Sequence, residues 1–577
     1  MNLTNRVLVL GDNDLACLTI VRSLGRSGLE VHLVSWYPSA ITRRSRYVHK
    51  VYNCGHPERE PSDFVNNVLR LVESTKFDLV IPVLDAALVP LMEVADTLRA
   101  HTVFAAPDRR GFEMTHNKGE TIRLAQQLGV DIPTTKLITR QDRLGGMEWP
   151  SRFPLVLKPA LGGPVRKVRT CEEAEQKLAS MIEQGPVLVQ EFCPGYGIGL
   201  NVLGNCGEIV AAFQHMRVHE PPEGGVSSYR KSMPLSEDLL EIARRMCRAM
   251  NWSGPAMFEF KTDPSSHRSV LMEINGRFWG SLALPVAAGV DFPKLLYDML
   301  VKHKQEHAFS YRVPHFARNT RRDFFWFFNN LETPSDNLEL LKVKWPALLK
   351  EVGNILSGRE SLDVESLRDP VPGLLSWMEV GRELVKRVQG KLERARSKRL
   401  ARRMVAQAHG HKPSLVNMLR QARSVLFLCH GNINRSAFAE QKTRTSLCQG
   451  ETLRIASAGF IPQEGRRTPQ YSLRITKELG VDLSNHRSKV ITKDLLAEYD
   501  IIFVMDSDQL QQLQAMDSSA LKKTVLLGAL DIDKQDWEIE DPYGKSSESY
   551  YRAYSKIGRC IEAWLNIRSG GSPYESR

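Results

Sequence analysis

Short apolar runs alternate with segments of helical spacing over the first hundred residues. Residues 7–10, 31–34 and 78–83 are rich in valine, leucine and isoleucine, which predicts buried strands. Between the first two, residues 15–24 carry a leucine or valine at every third position, which predicts a helix packed on those strands. Strand–helix alternation of this kind predicts a parallel, doubly wound sheet. We therefore expect residues 1–110 to form an α/β domain.

The pattern changes after residue 110, where apolar strands carry polar residues near their ends. These strands are predicted at 153–159, 187–192, 256–261 and 270–280. A strand that only packs in an apolar core does not need polar residues at these positions. Any one of them is explained as a surface charge, but their succession in this order favours a binding site.

The polar residues suit a nucleotide and a metal ion. Lys158 suits a phosphate as a point charge. Glu273 and Asn275 lie two apart on one strand and so share a face. Together with Glu259 they offer oxygen ligands of the kind that Mg²⁺ prefers where it bridges phosphates. Arg277, on the same face, suits a phosphate or a substrate carboxylate.

Residues 1–308 resemble ATP-grasp proteins of the carboxylate–amine ligase and carbamoyl-phosphate-synthase-like group. The matching segments are 117–118, 153–159, 189–192, 258–261 and 272–280. The resemblance implies a pre-ATP-grasp domain at 1–110 and ATP-grasp α+β lobes at 111–308. It also implies ATP and Mg²⁺ or Mn²⁺ as cofactors, and small carboxylate and amine substrates joined through an acyl phosphate.

The same resemblance assigns residues to roles. The nucleotide is contacted by Lys118, Lys158, Gln190, Glu191 and Phe192, and the metal by Glu259, Glu273 and Asn275. One segment departs from the family, because the loop that normally folds over the phosphates is reduced to residues 160–165, with two glycines and a proline. Residues 221–228 are interpreted as a mobile loop over the acceptor site or, equally, as a plain surface turn.

Residues 309–420 are predicted to be a helical, basic linker. Within them, residues 382–403 hold ten lysines and arginines against two glutamates. A solvated connecting helix is the favoured interpretation, and weak contact with an anionic surface is the alternative. Nucleic acid is not expected, because no aromatic residues interleave for base stacking. The aromatic run at 321–328 favours core packing over a ligand site or a membrane interface.

Residues 425–436 show the strongest local pattern in the chain. A four-residue apolar strand leads into a small polar loop with Cys429 at its start and Arg435 at its end, and a helix follows. This arrangement directs backbone N–H groups and a helix N-terminus at an anion. It favours the thiolate form of Cys429, and Arg435 offers two donors to a phosphate. A leaving oxygen needs an acid, and Asp541, fixed on its loop by Pro542, is the best candidate.

Residues 421–577 resemble the low-molecular-weight protein tyrosine phosphatases along their whole length, through 429–436, 457–459, 486–488, 504–506 and 541–543. The resemblance implies a parallel four-stranded α/β domain that needs no cofactor. It implies that His486 and Asn432 form a structural pair and that Tyr543 flanks an aromatic phospho-substrate. The phosphate loop is supported by His430, Gly431, Asn432, Ile433, Asn434, Ser436, His486 and Tyr543.

Two features narrow the chemistry of this loop. Many family members carry a second cysteine where this chain has Asn434, so a protective disulfide within the loop is not expected. Arsenate reductases share the fold but need later cysteines, and none lies between Cys448 and Cys560.

Composition bears on the cellular compartment of the protein. The nine cysteines include no CxxC pair, no run of eighteen apolar residues occurs, and the N-terminal apolar run is too short for a signal peptide. Together with the strand–helix patterns, these features predict a cytoplasmic α/β multidomain protein. We expect a bifunctional fusion of an ATP-dependent ligase with a phosphatase acting on phosphotyrosine or another phosphomonoester. The alternatives are that the ATP-grasp half only senses nucleotide and regulates the phosphatase, or that the chain is a membrane-surface adaptor.

Overall fold

A computed structural model describes residues 3–571 except 13–14, 143–148, 150–151, 222–225, 333–350, 352–353, 355–356, 448–450 and 532–535. The chain forms two compact units, residues 1–381 and 382–577. Of the predicted loop at 221–228, residues 222–225 lie outside the described residues.

The first unit begins with a five-stranded parallel sheet in the order β3-β2-β1-β4-β5. Its strands are β1 (Arg6–Leu10), β2 (Glu30–Val34), β3 (Val48–Tyr52), β4 (Leu79–Pro82) and β5 (Val103–Phe104). The helices between them are α1 (Leu15–Arg26), α2 (Pro61–Ser74), α3 (Asp85–Met92) and α4 (Ala95–His101). The strands are almost wholly apolar because helices cover both faces of a doubly wound sheet.

A four-stranded antiparallel sheet follows, in the order β6-β9-β7-β8. The elements of this part are α5 (Arg109–His116), α6 (Lys118–Gln127), β6 (Thr135–Ile138), β7 (Leu155–Pro159), β8 (Arg166–Val168), α7 (Cys171–Ile182) and β9 (Val187–Glu191). The side chain of Thr170 caps the N-terminus of α7 by accepting from the N–H of Glu173.

The largest sheet has seven strands in the order β14-β13-β10-β11-β12-β15-β16. The elements are β10 (Tyr196–Asn205), β11 (Glu208–His219), β12 (Tyr229–Met233), α8 (Glu237–Met250), β13 (Gly254–Thr262), β14 (Ser269–Asn275), α9 (Ala283–Ala288), α10 (Phe292–Leu300), β15 (Phe316–Arg318), α11 (Thr320–Glu332) and β16 (Glu360–Leu362). All neighbours are antiparallel except β15 and β16.

The predicted helical linker at 309–420 needs correction in its first half. Strands β15 and β16 extend the seven-stranded sheet, so this stretch is part of the first unit. Each strand has only three residues, too few for an alternating pattern to stand out in the sequence. The aromatic run lies on α11, where Trp326 is 8% exposed and stacks on His219 with ring centroids 3.8 Å apart.

Buried ion pairs fasten this late segment to earlier parts of the unit. Arg230, on β12, donates to both carboxylate oxygens of Asp363 at 2.5 Å, and both side chains are fully buried. Arg22, on α1, pairs with Asp369 at 2.9 Å, also out of solvent. The first unit is therefore completed only by residues near 369.

The second unit is built around a four-stranded parallel sheet in the order β18-β17-β19-β20. A 40-residue helix, α12 (Pro370–His409), runs across the boundary between the units. After it come α13 (Pro413–Gln421), β17 (Ser424–Cys429), α14 (Arg435–Ser446), β18 (Arg454–Gly459), α15 (Gln470–Glu478), α16 (Lys493–Ala497), β19 (Ile501–Val504), α17 (Ser507–Met516), β20 (Thr524–Leu526) and α18 (Ser547–Arg568).

The predicted fold class is confirmed: an α/β multidomain chain with a doubly wound sheet, α+β lobes and a parallel four-stranded C-terminal sheet. Among the helices that the structure describes, none is both long and apolar enough to cross a membrane.

The buried pair Arg230–Asp363 yields a test of this architecture. Replacing Asp363 with alanine leaves a buried, uncompensated guanidinium, so we expect the first unit to lose about 3–5 kcal/mol of stability. Calorimetric unfolding of the full chain measures this. The control is Asp131→Ala, which breaks the exposed pair with Arg268 and is expected to cost less than about 1 kcal/mol. Equal, small effects of both substitutions would contradict the role of the late segment.

Candidate active sites

The loop between β17 and α14 surrounds a buried sulfur atom. Cys429 ends the strand and is 3% exposed. Its Sγ accepts hydrogen bonds from Ser436 Oγ at 3.0 Å and from the backbone N–H of Asn432 at 3.2 Å. Donors to the sulfur stabilise a negative charge there, so the loop supports a thiolate nucleophile.

Asn432 holds the loop in shape. Its Nδ2 donates to Ser436 Oγ at 2.9 Å and to Ser457 Oγ at 2.8 Å, while Oδ1 accepts from the N–H of Lys489 at 2.8 Å. Its backbone carbonyl lies 2.7 Å from His486 Nε2, so the predicted pair is in contact. The residue has φ +51°, a conformation that asparagine tolerates better than most side chains.

Arg435 begins α14 with its guanidinium almost fully buried. Nη1 donates to Asp506 Oδ2 and to the carbonyl of Ile539, both at 2.8 Å, and Nη2 donates to Asp541 Oδ2 at 2.6 Å. Burial disfavours this charge, but the neighbouring Cys429, Asp541 and Asp506 outweigh it and hold the pKa of Arg435 above its ordinary value. The predicted nucleophile, anion clamp and acid therefore meet in one place.

Asp506 belongs to the site, although the sequence reasoning gave it no role. Its Oδ1 caps α17 by accepting from the N–H of Gln509, and Oδ2 accepts from Gln509 Nε2 and Arg435. Burial raises its pKa, and the charge of Arg435 counteracts part of that shift. The missed signal was positional: Asp506 follows β19 as Cys429 ends β17, and carboxyl ends of adjacent parallel strands lie together.

The remaining predicted loop residues differ in their surroundings. His430 is exposed, Gly431 and Ile433 are half-buried, and Asn434 is 3% exposed. Neither side-chain atom of Asn434 has a hydrogen-bond partner within the described part of the chain. Tyr543 is 62% exposed, which leaves its ring accessible to an aromatic substrate.

The three predicted metal ligands of the first unit come together on the largest sheet. Glu259, on β13, lies directly opposite Glu273, on β14. Asn275 Nδ2 lies 3.0 Å from Glu259 Oε1 and 3.4 Å from Glu273 Oε1. The amide is free to present its oxygen instead, since amide orientation follows its partners.

Two predicted lysines face these carboxylates. Lys118 Nζ lies 4.0 Å from Glu273 Oε2. Burial lowers the pKa of Lys158, and Glu273 and Glu259 oppose that shift. Burial also raises the pKa of Glu273, and the adjacent Glu259 adds to the effect, although Lys118 and Lys158 oppose it. Two carboxylates with an amide oxygen fit Mg²⁺ or Mn²⁺.

Arg217, on β11, is a member of this site that the sequence reasoning missed. Its Nη2 donates to Glu259 Oε2 at 2.5 Å and its Nη1 to Glu220 Oε1 at 3.2 Å. Burial disfavours the charge, but Glu259 and Glu220 raise the pKa of Arg217 overall. The polar run at the end of an otherwise apolar strand was the available signal.

The predicted nucleotide contacts beyond the lysines lie at the end of β9. Gln190 is 1% exposed and donates to Thr135 Oγ1 at 2.9 Å, whereas Glu191 is exposed and accepts from the N–H of Thr134. Phe192 is 40% exposed, and Lys167 Nζ lies 3.8 Å from its ring centroid.

Arg277, predicted to bind a phosphate or a substrate carboxylate, contacts groups of this chain. Its Nε is 2.9 Å from Asp85 Oδ2, on α3, and Nη1 donates to the carbonyl of Phe278. The Arg277 charge is thus compensated by Asp85, which belongs to the domain of the five-stranded sheet.

These geometries define a cysteine-dependent phosphatase fold in the second unit, and comparison with known proteins agrees. Residues 424–569 match the family of low molecular weight phosphotyrosine protein phosphatases. The C-terminal part of this chain belongs to that family.

Two relatives illustrate the match. The probable low molecular weight protein-tyrosine-phosphatase EpsP of Ralstonia nicotianae is 30% identical over 150 residues, which is 26% of this chain and 99% of the relative. The low molecular weight phosphotyrosine protein phosphatase of Homo sapiens is 35% identical over 156 residues, 26% of this chain and 98% of the relative.

The first unit matches a second family. Residues 183–318 match the family described as ATP-grasp in the biosynthetic pathway with Ter operon. Among solved structures, an L-amino acid ligase from Bacillus licheniformis aligns with TM-score 0.44 and 17% identity, over 52% of this chain and 75% of that one. The two family matches confirm both predicted resemblances, while the roles of individual site residues stay predictions.

The contacts of Asn432 yield a test of the loop. Asn432→Ala removes three side-chain hydrogen bonds and leaves an alanine at positive φ, which disfavours the native loop by about 1–2 kcal/mol or more. We expect orthovanadate, an analogue of phosphate, to bind at least about tenfold more weakly by isothermal titration. Asn417→Ala, at an exposed position on α13, is the matched control. Unchanged affinity in a folded Asn432→Ala variant would refute the structural role.

Proposed function

We propose that this chain is a bifunctional enzyme, with a phosphotyrosine or phosphomonoester phosphatase in the second unit and an ATP-dependent carboxylate–amine ligase in the first. The observation that carries the phosphatase is the convergence of Cys429, Arg435 and Asp541 within one hydrogen-bonded loop system. The family match at 424–569 supports the same reaction.

In the proposed first step, the Cys429 sulfur attacks phosphorus and the ester P–O bond breaks. Asp541 gives its proton to the leaving oxygen, so the alcohol or phenol departs neutral. Arg435 and the N–H groups of the loop bind the remaining phosphoryl oxygens. In the second step Asp541, now a carboxylate, takes a proton from water, which attacks phosphorus and breaks the P–S bond. Inorganic phosphate leaves and the thiolate is restored.

The pairing of Arg435 with Asp541 suggests how binding starts this cycle. Nη2 now bonds to the Asp541 carboxylate, which is 40% exposed and so is free to move. A phosphoryl group that takes this donor frees Asp541, which takes up a proton from solvent and then faces the leaving oxygen as the acid. Asp506 keeps its bond to Nη1 and holds the guanidinium in place.

For the first unit, we propose transfer of the ATP γ-phosphoryl group to a substrate carboxylate, which yields ADP and an acyl phosphate. An amine then displaces phosphate. In this proposal Lys118 and Lys158 bind phosphate oxygens, and Glu259, Glu273 and Asn275 would hold Mg²⁺ or Mn²⁺. The ion, when bound, neutralises phosphate charge. Support comes from the grouping of these side chains and from the family match at 183–318.

The acid role of Asp541 is tested by leaving-group dependence. With Asp541→Ala we expect kcat to fall about 10²–10⁴-fold for a substrate with a poor leaving group, such as phenyl phosphate, and far less for para-nitrophenyl phosphate. Asp536→Ala, at an exposed aspartate preceding the same loop, is the matched control. Equal losses for both substrates would rule out Asp541 as the acid, and full activity in Cys429→Ser would rule out the cysteinyl phosphate.

The ligase proposal is tested by nucleotide turnover. We expect the full chain to release ADP when it is supplied with ATP, Mg²⁺ and a productive carboxylate–amine pair, found by screening. Lys158→Met should lower this release at least about 100-fold, because it removes a buried cation next to the phosphates. Lys136→Met, at an exposed position on β6, is the control. Equal ADP release by Lys158→Met and the wild type would defeat the assignment.

A further inference from the structure

Two surface loops lie directly against the phosphate loop of the second unit. In the first, which follows β18, the N–H of Phe460 donates to the carbonyl of His430 at 2.9 Å. In the second, which precedes α16, the N–H of Lys489 donates to Asn432 Oδ1 at 2.8 Å. Whatever these loops present to solvent therefore borders the mouth of the phosphatase site.

The two loops also bind each other. The N–H of Ser488 donates to the carbonyl of Arg466 at 2.9 Å, and Ser488 Oγ accepts from the N–H of Arg466 at 3.0 Å. The N–H of Gly465 donates to the carbonyl of Ser488 at 2.8 Å. These bonds hold the loops as one pre-formed surface, which lowers the entropy cost of binding a partner.

This surface is strongly basic. We define the basic rim as Arg466, Arg467, Arg487 and Lys489. Arg466 is half-buried, and its Nη2 donates to the carbonyl of Gly431 at 2.5 Å, so it touches the phosphate loop itself. The other three residues are exposed. Within the two segments 463–467 and 486–490, the sequence has one acidic residue, Glu464.

We propose that the basic rim selects phosphotyrosine segments whose neighbouring residues are acidic. The inference rests on the phosphatase function proposed above and specifies its substrate class. A phosphate monoester is itself dianionic, and Arg435 with the N–H groups of the phosphate loop neutralises that charge. The rim's cations are additional, and they lie where residues flanking the phosphotyrosine would pass.

The chemistry of the rim fits carboxylates in particular. Arginine presents a planar fork to a carboxylate, and three of the four rim residues are arginines. Exposed charges at the edge of a binding site act mainly on the rate of association, and salt screens them. The preference for acidic flanks should therefore appear in kcat/KM and shrink as ionic strength rises.

The experiment uses the full chain and four substrates: an aryl phosphate without flanks, and three phosphotyrosine peptides of equal length with acidic, neutral or basic flanks. At low salt we expect kcat/KM to be about fivefold or more higher for the acidic than for the neutral peptide, with the basic peptide slowest. In the double variant Arg467→Glu/Arg487→Glu this order should reverse. Arg466 is left intact because it also supports Gly431.

The matched control is Lys522→Glu, which makes the same kind of charge change at an exposed residue just before β20. The N-terminal end of a parallel strand lies at the opposite edge of the sheet from the phosphate loop, so the peptide order should stay as in the wild type. Equal rates on all three peptides, with the aryl phosphate still hydrolysed, would overturn the rim proposal and leave the phosphatase intact. Absence of aryl phosphate hydrolysis would overturn the phosphatase itself.

Discussion

The phosphatase half depends on one buried cation. Arg435 is 1% exposed and is stabilised there by Asp506, Asp541 and the Cys429 sulfur together. A charge taken out of water without such partners would cost several kcal/mol. The compensation fixes the guanidinium at the helix N-terminus, where an incoming phosphate gains two donors and a favourable dipole. Cys429 and Asp541 are thus coupled through the Arg435 charge that lies between them.

The first unit also holds charged groups away from solvent, but there the central groups are carboxylates. Its two glutamates lie opposite each other on neighbouring strands, which by itself is unfavourable. Lys118, Lys158 and Arg217 supply positive charge around them, while burial and, after it, the neighbouring Glu259 raise the pKa of Glu273. A site in this condition gains stability from a divalent cation, which is what an enzyme that binds a metal–nucleotide complex requires.

Sequence patterns predicted features formed by residues close together in the sequence and missed contacts between residues far apart in it. The loop from Cys429 to Ser436 was readable because strand, nucleophile, arginine and helix are consecutive. Glu273 and Asn275 were readable because strand periodicity places them on one face, and Glu259 because it lies on another of the apolar strands that carry polar residues. Asp506 and Arg217 were missed, since their roles arise only when strands far apart in sequence become neighbours. Strands β15 and β16 were missed because three residues carry too little periodicity.

The first unit is completed only by residues near 369, and this affects how the protein folds during synthesis. Arg22, from the first helix, pairs with Asp369, and Arg230 with Asp363, both out of solvent. Arg230 lacks its counter-charge until Asp363 has emerged from the ribosome, and Arg22 lacks its own until Asp369 has. The long sequence separation of these contacts slows folding, and domains generally fold as units during synthesis. The first unit should therefore complete its fold only after residue 369 is out, and a fragment cut at residue 308 would lack the acidic partners of Arg22 and Arg230.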